Sequence, residues 1–383
     1  MNKLGFHVNR VSDDVFDAII KVRPRVIKTL HHDVSFWQRV KEALPDTFLV
    51  GRLYEPHQQF SPDADVRGLE FAEKVLGQEI NQYGLMDAWE GYNECLAPTG
   101  NLDDYDSLDR FQAAFGQRIK AAGMEPVGMN FGTGQYLGED WVKHFPRTLE
   151  LYTYLGFHEY DWPDMWRLHQ QGLDAGNGGM WLALRYRRIM EPIREKYGDR
   201  HIALITECGM TQAVYPGLGD VGWRTELPEE RYWESLNWYN EELAKDGYVL
   251  GAAIFVVGAA APWHSFESLG GIIDRIAALN PPPSNQYRSH FVLFPQGTPW
   301  AWYDASRYYF LKFRCTRGES PDDAAKVHGD LGHTITCINA AEETIAYLRK
   351  INPAADIDRI EVDSTAELFA VMKWRADNGR RFG

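Results

Sequence analysis

Over residues 1–280, short apolar runs alternate with longer amphipathic segments. The apolar runs predict eight β-strands, at residues 4–8, 26–30, 47–53, 88–92, 126–130, 155–160, 201–206 and 249–257. The amphipathic segments predict helices after each strand, at residues 13–21, 36–43, 66–82, 108–122, 140–152, 182–197, 229–245 and 268–279. Most strands are continuous apolar runs rather than alternating ones, which is typical of a parallel sheet covered on both faces.

This repeat predicts an α/β fold based on a closed (β/α)8 TIM barrel. The 383-residue chain has room for such a barrel, which usually takes roughly 250 residues, and for a smaller unit. No Gly-x-Gly-x-x-Gly follows the first strand, which disfavours an open dinucleotide-binding sheet.

A proline-rich segment, Pro281 to Pro283, marks the predicted domain boundary. We therefore expect the barrel at residues 1–283 and a small C-terminal α/β domain at residues 284–383. In that domain, strands are predicted at 291–294, 333–338 and 357–362, with helices at 300–313, 341–350 and 365–378. A packing role is the simpler interpretation, and a docking or carbohydrate-binding module is the alternative.

Composition excludes several classes of partner. A net charge of −14 without a basic patch disfavours nucleic acids and anionic membranes. The sequence predicts no membrane span and no signal peptide, so a soluble protein is expected, with no indication of cellular location or oligomeric state. The four cysteines lack C-x-x-C spacing, which disfavours a zinc cage or a disulfide framework, and no cofactor is predicted.

Two glutamates lie at the ends of predicted strands. Glu94 follows strand four and Glu207 follows strand seven. Because the carboxyl ends of barrel strands converge on one face, we expect these side chains to meet there. Glycoside hydrolysis requires one carboxylic acid to protonate the departing oxygen and a second carboxylate to attack the sugar or activate water. The sequence therefore predicts Glu94 and Glu207 as a catalytic pair.

Neighbouring residues supply further candidates for sugar binding. Asn93 is predicted to hydrogen-bond the sugar 2-hydroxyl, a contact that strengthens in the transition state. His158 and Tyr160 share one face of strand six because side chains alternate along a strand. A Tyr160 hydroxyl donated to Glu207 would orient that carboxylate and favour its charged form.

Other polar residues are candidates on position alone. His7, His31 and Arg52 lie at or just beyond the ends of strands one to three, where a sugar subsite is expected. Adjacent residues at a strand end point apart, so His31 and its neighbours are not expected to form a metal site. Glu90 is interpreted as the buried partner of an arginine or histidine rather than as a catalyst.

Tryptophans in the loops of the same barrel face are candidates for stacking on sugar rings. Trp162 and Trp166 follow strand six, Trp223 follows strand seven and Trp263 follows strand eight. With 13 tryptophans in the chain, some must be core residues, so stacking and loop packing both remain open for these four.

These residues resemble glycoside hydrolase clan A, the retaining glycosidases built on a (β/α)8 barrel. The resemblance rests on Asn93-Glu94 at strand four, Glu207 at strand seven, and His158 with Tyr160 at strand six, and it covers roughly residues 1–280. It implies that Glu94 is the acid/base and Glu207 the nucleophile, with Asn93, His158 and Tyr160 supporting them.

Strand eight departs from the clan pattern. Many members carry a tryptophan at its end, whereas this chain has Phe255, Val256 and Val257. Trp263 is the candidate substitute, and without it the subsite nearest the scissile bond differs from the usual form.

The predicted activity is hydrolysis of a β-linked oligo- or polysaccharide with retention. Glu94 would donate a proton while Glu207 forms a glycosyl ester, and Glu94 would then deprotonate the water that releases it. This requires carboxyl groups about 5–5.5 Å apart. The alternatives are a non-catalytic carbohydrate-binding barrel and a barrel enzyme of metal-dependent or phosphosugar chemistry.

Overall fold

The computed structural model describes residues 2–96, 101–280, 289–313, 315–326, 332–378 and 380. The chain divides into two compact units, Met1–Asn280 and Pro281–Gly383. The boundary predicted between residues 283 and 284 falls outside the described residues.

The first unit contains a closed barrel of eight parallel strands. The strands are β1 (Leu4–Val8), β2 (Val26–Thr29), β3 (Phe48–Gly51), β4 (Ala88–Glu90), β5 (Glu125–Phe131), β6 (Tyr154–Asp161), β7 (Ile202–Met210) and β8 (Val249–Val257). Each strand pairs with the next in sequence, and β8 pairs with β1. The predicted TIM-barrel fold is therefore confirmed.

Helices flank the barrel strands. They are α1 (Asp13–Val22), α2 (Val34–Ala43), α3 (Ala64–Leu76), α4 (Leu102–Ala121), α5 (Gly138–His144), α6 (Pro146–Leu151), α7 (Arg167–Asp174), α8 (Arg185–Tyr197), α9 (Glu229–Leu243) and α10 (Gly271–Leu279). Short 3-10 helices lie at Glu79–Tyr83, Gly198–Arg200, Gln212–Val214, Trp223–Thr225 and Trp263–Phe266. Within the described ranges, the helices are too short or too polar to cross a membrane.

Several element boundaries differ from the prediction, and three of these differences have local reasons. The helix predicted at 140–152 is divided into α5 and α6, because Pro146 has no N–H to continue the first helix. Helix α4 starts at Leu102 rather than 108, where the Asn101 side chain accepts a hydrogen bond from the Asp104 amide at 3.0 Å. Strand β7 continues to Met210, so Glu207 lies inside the strand.

The barrel interior changes from apolar to charged along the strands. An apolar layer fills its centre, formed by Val26, Val50, Ala88, Val127 and Leu204. Two residues further along their strands are Lys28 on β2 and Glu90 on β4, both fully buried. Residues i and i+2 of a strand share a face, so Lys28 and Glu90 lie directly above Val26 and Ala88. A charge buried beside hydrocarbon requires a partner of opposite sign.

The second unit is a small α/β domain with a parallel sheet in the order β10-β9-β11-β12. Its strands are β9 (Ser289–Leu293), β10 (Thr316–Gly318), β11 (His333–Ile338) and β12 (Asp356–Ile360). Its helices are α11 (Trp300–Ala305), α12 (Arg307–Phe313), α13 (Pro321–Ala324), α14 (Glu342–Ile351) and α15 (Thr365–Asp377). Alternate strand residues enter two separate apolar clusters, with Val292 and Ile338 in one and Phe291 and Ile335 in the other. The short elements β10 and α13 were not predicted.

The buried Tyr152 ring lies between two glycines, which provides a test of barrel packing. A Cβ added at Gly116 on α4 would lie 2.5 Å from the ring, and one added at Gly128 on β5 would lie 2.6 Å from it. The Tyr152 hydroxyl is also held by the Gln112 carbonyl oxygen at 2.7 Å. The ring therefore has no free side toward which it can move.

We expect Gly116→Ala to reduce the free energy of unfolding by about 1–3 kcal/mol, the usual cost of overpacking a core. Urea denaturation followed by circular dichroism measures this change. Gly247→Ala is the control, because a Cβ there meets no described atom within 4 Å. Equal stability of the two variants would contradict this account of the packing.

Candidate active site

The structure brings Glu94 and Glu207 together at the carboxyl ends of the strands. Glu207 lies on β7 and is paired in register with His158 on β6. Glu94 lies beyond the end of β4, where its amide donates to the Asn130 carbonyl oxygen at 2.9 Å. One carboxylate oxygen of each glutamate and one ring nitrogen of His158 all lie within 4.8 Å of one another.

The backbone of Glu94 has an unusual conformation. Its φ angle is +51°, in the left-handed region that non-glycine residues seldom adopt. Such conformations carry a local cost and cluster at functional sites. The Glu94 side chain is 42% exposed, so it faces open space beside the better buried Glu207.

His158 lies between the two carboxylates. Its Nδ1 is 2.6 Å from Glu94 Oε1 and 3.7 Å from Glu207 Oε2. The Thr133 hydroxyl donates to the His158 backbone carbonyl at 3.1 Å, which ties this end of β6 to the segment after β5. His158 therefore links the exposed glutamate to the buried one.

The two oxygens of Glu207 have different partners. Oε2 accepts a hydrogen bond from the Tyr160 hydroxyl at 3.0 Å. Oε1 accepts from Lys28 Nζ at 2.9 Å and from Arg52 Nη1 at 3.4 Å, and His7 Nδ1 lies 4.0 Å away. Burial and the nearby charge of Glu207 raise the pKa of Tyr160 well above 10, so its hydroxyl remains a donor near neutral pH.

The charges around Glu207 favour its ionised form. Burial alone would raise the pKa of Glu207, but His158, Lys28, His7 and Arg52 outweigh it and hold that pKa well below 4.5. Burial, followed by the charge of Lys28, lowers the pKa of His7 well below 6.5, so His7 is neutral near pH 7. Lys28 and Arg52 are the two cationic side chains that donate directly to Glu207 Oε1.

Lys28 was missed in the sequence analysis. Its side chain and that of Glu90 are both 0% exposed, and Nζ lies 2.8 Å from Glu90 Oε2. The partner expected for Glu90 was an arginine or a histidine, and the structure corrects this to a lysine. A lysine inside the apolar run Val26-Ile27-Lys28-Thr29 was the available signal, because a charge in a fully covered strand must be paired.

Asn93 is fixed through its backbone. Its amide donates to Gln58 Oε1, and its carbonyl oxygen accepts from Gln58 Nε2 at 2.9 Å. The side-chain oxygen Oδ1 is buried and has no hydrogen-bond partner within the described part of the chain. A buried oxygen of this kind needs a partner that the described residues do not supply.

Glu159, between His158 and Tyr160 in sequence, faces the helices instead of the site. It accepts hydrogen bonds from the Leu184 and Tyr186 amides at 2.8 and 2.7 Å and from the Tyr239 hydroxyl at 2.5 Å. Burial raises the pKa of Glu159 to about 7 despite these donors. This residue joins β6 to the start of α8 and so supports the strand that carries His158.

Trp162 and Trp223 lie in packed regions. Trp162 is 9% exposed and Trp223 is 3% exposed. The Trp223 ring stacks on Tyr232 with centroids 4.4 Å apart. Their burial favours the packing interpretation over sugar stacking.

Trp263 is half-buried and is connected to the site by ring contacts. It meets Phe255 edge to face, with centroids 5.3 Å apart. Phe255 in turn contacts His7 at 5.1 Å and Tyr160 at 6.4 Å. His31, by contrast, is exposed; its backbone carbonyl accepts from the Trp37 indole at 2.7 Å, and its predicted role still rests on position alone.

Glu94, His158 and Glu207 are also residue types that bind metal ions. The contact of 2.6 Å between His158 and Glu94 is a hydrogen-bond distance. Lys28 and Arg52 already offset the charge of Glu207 and would repel a divalent cation. We therefore interpret the cluster as two carboxylates on either side of His158, which is within hydrogen-bond distance of Glu94.

The sequence matches no protein-family model and no curated protein sequence. Among solved structures, it is similar to an endo-β-1,3-glucanase of glycoside hydrolase family 128, subgroup II, from Pseudomonas viridiflava, with a TM-score of 0.42, 13% identity, and coverage of 73% of this chain and 98% of that one. It is also similar to a β-glucuronidase from Ruminococcus gnavus, with a TM-score of 0.49, 12% identity, and coverage of 73% and 49%.

A third similar structure is a β-galacturonidase of glycoside hydrolase family 2 from Eisenbergiella tayi, with a TM-score of 0.48, 13% identity, and coverage of 73% and 50%. The chain thus spans about half the length of the β-glucuronidase and the β-galacturonidase. All three TM-scores are below 0.5 and all three identities below 25%, so function has to be argued from the site.

The charges around Glu207 predict a pH-dependent stability. Its pKa in the folded protein lies below that of an unfolded glutamate, about 4.3, so its ionisation stabilises the fold above that pH, and this contribution is lost as the pH falls. Below about pH 4.3, we expect the wild type to lose up to about 1.4 kcal/mol more stability per pH unit than Glu207→Gln. Urea denaturation of both proteins at a series of acidic pH values measures this difference, and parallel curves would refute it.

Proposed function

We propose that this protein is a retaining glycoside hydrolase, with Glu94 as acid/base and Glu207 as nucleophile. The observation that carries the proposal is the arrangement of the two carboxylates. Glu207 is buried, ionised and held by cations, whereas Glu94 is exposed and hydrogen-bonded to His158. The two carboxylates thus differ in burial and in partners, and different surroundings allow two carboxylates of one site to take separate roles.

The distance between the glutamates supports retention. Retaining glycosidases hold their carboxyl groups about 5–5.5 Å apart, whereas inverting enzymes need about 6.5–9.5 Å to admit a water molecule. Here one carboxylate oxygen of Glu94 and one of Glu207 lie within 4.8 Å of each other. This limit on single oxygens is compatible with the retaining separation and with direct attack by Glu207 on the sugar carbon.

The reaction would proceed in two steps. First, the Glu94 proton passes to the departing glycosidic oxygen while an oxygen of Glu207 bonds to the anomeric carbon. Second, Glu94 takes a proton from water, the water oxygen bonds to that carbon, and the ester bond to Glu207 breaks. Glu94 is then protonated and Glu207 is ionised, as at the start.

The proposed substrate is a β-linked oligo- or polysaccharide. The resemblance of Asn93-Glu94 and Glu207 to clan A supports the β linkage, and we propose membership of that clan. Asn93, which directly precedes Glu94, is the proposed contact of the sugar 2-hydroxyl. Trp263, through its contact with Phe255, is the best placed of the predicted tryptophans to substitute for the clan tryptophan.

Covalent trapping tests the nucleophile. We expect a panel of activated 2-fluoro β-glycosides to include one that adds a single sugar to the protein, with the adduct on Glu207 in peptide mapping by mass spectrometry. Glu207→Gln should form no adduct, because its amide cannot attack. Glu73→Gln, which alters an exposed helix carboxylate paired with Arg118, is the matched control and should react like the wild type. An adduct on another residue would refute the assignment, and glycan binding without adduct or cleavage would favour a non-catalytic barrel.

Leaving-group dependence tests the acid. Glu94→Gln should reduce kcat/KM for natural glycans by several orders of magnitude, because their alkoxide leaving groups need a proton. Aryl glycosides with strongly acidic phenols need little protonation and should be affected far less. Steady-state kinetics on both substrate types provide the comparison, and equal losses on the two would contradict the proposed role of Glu94.

A further inference from the structure

The barrel interior contains an ion cluster that the proposed reaction does not by itself require. Lys28 Nζ lies 2.9 Å from Glu207 Oε1 and 2.8 Å from Glu90 Oε2. Lys28 and Glu90 are fully buried, and the Glu207 side chain is 9% exposed. Burying such charges carries a large desolvation cost, and apolar residues of similar volume often replace a buried pair without loss of stability. The cluster therefore needs an explanation other than stability.

The two carboxylate oxygens of Glu207 contact different residues. Lys28 and Arg52 hold Oε1. Tyr160 and His158 face Oε2, and His158 also contacts the Glu94 carboxylate. Oε2 is therefore the oxygen on the side of the acid/base, where the anomeric carbon must lie, while Oε1 points into the barrel.

We propose that Lys28 is a positioning residue for the reaction proposed above: it fixes Oε1 of Glu207 so that Oε2 bonds to the sugar, and it stabilises the carboxylate that leaves when the ester breaks. This inference rests on the proposed function. As water adds to the anomeric carbon, the bond from that carbon to Oε2 breaks and its electron pair returns to Glu207. The positive charge 2.9 Å from Oε1 favours this step.

Glu90 completes the charge balance. While Glu207 is an uncharged ester, the buried positive charge of Lys28 has lost one of the two carboxylates beside it. Glu90, 2.8 Å from Nζ and also fully buried, remains as its partner. The Lys28–Glu90 pair is thus expected to persist while Glu207 alternates between a charged and an uncharged form.

Several ionisable groups face Glu207 or its contacts, and the inference concerns only one of them. They are His7 from β1, Lys28 from β2, Arg52 after β3, Glu90 and Glu94 from β4 and the segment after it, and His158 and Tyr160 from β6. Among the described residues, Lys28 alone of these groups bridges Glu207 to another carboxylate of the barrel interior. A test must therefore remove Lys28 without leaving Glu90 unpaired.

The double variant Lys28→Met/Glu90→Met removes one charge of each sign and so keeps the total charge. Carbon-13 NMR of protein labelled at the glutamate carboxyl carbons, with the Glu207 signal assigned from Glu207→Gln, gives the titration midpoint of Glu207. We expect this midpoint to rise by on the order of one pH unit or more in the double variant. Lys28→Gln/Glu90→Gln, with the same expected rise, serves if the methionine pair does not fold.

The matched control is Lys21→Met/Asp274→Asn, which removes a solvent-exposed lysine–carboxylate pair and should leave the Glu207 midpoint unchanged. An unchanged midpoint in the interior double variant would overturn the inference, whether or not a substrate is known. Where a 2-fluoro sugar forms an adduct, its hydrolysis in the double variant should slow by up to about ten-fold for each pH unit of that rise, since a unit of pKa is a factor of ten in the stability of the carboxylate that leaves. A raised midpoint in a protein that hydrolyses no glycoside would support the effect of Lys28 on Glu207 but refute the proposed function.

Discussion

The organisation of the site depends on the position of one buried lysine. Lys28 binds carboxylates from β4 and β7, strands that are not neighbours in the barrel, so the contact crosses the interior. The apolar layer beneath it excludes water and strengthens this attraction. Arg52 adds a second cation on the same oxygen of Glu207. Lys28 and Arg52 thus offset the charge of Glu207 from the side of Oε1, while Oε2 lies on the side of Tyr160 and His158.

The sequence predicted those parts of the structure that depend on long-range regularity. Strand β8 was found at its predicted residues because nine consecutive residues form one apolar run. The approach of Glu94 and Glu207 followed from the geometry of a closed parallel barrel, which brings all strand ends to one face. Neither prediction required knowledge of any side-chain contact.

Features that depend on single residues were harder to predict. Lys28 is one polar position in an apolar run, and its two partners are 62 and 179 positions away in sequence, beyond any local pattern. The first turns of α4 are polar, so hydrophobic spacing did not show that Asn101 starts the helix. The alternation of side chains along a strand also does not predict the register shift between β6 and β7 near Phe157 and His158. That shift determines which residue is paired with Glu207.

The two glutamates are held in different ways. Glu207 sits within β7, where pairing with β6 continues beyond it to Met210. Glu94 lies outside β4 and relies on one backbone hydrogen bond to Asn130 and one side-chain contact to His158. Sequence drift or insertion after β4 would therefore displace Glu94, the proposed proton donor, while the β7 side of the site stays in place. With that proposed role, exchange of this one connecting segment would change which leaving groups the barrel accepts.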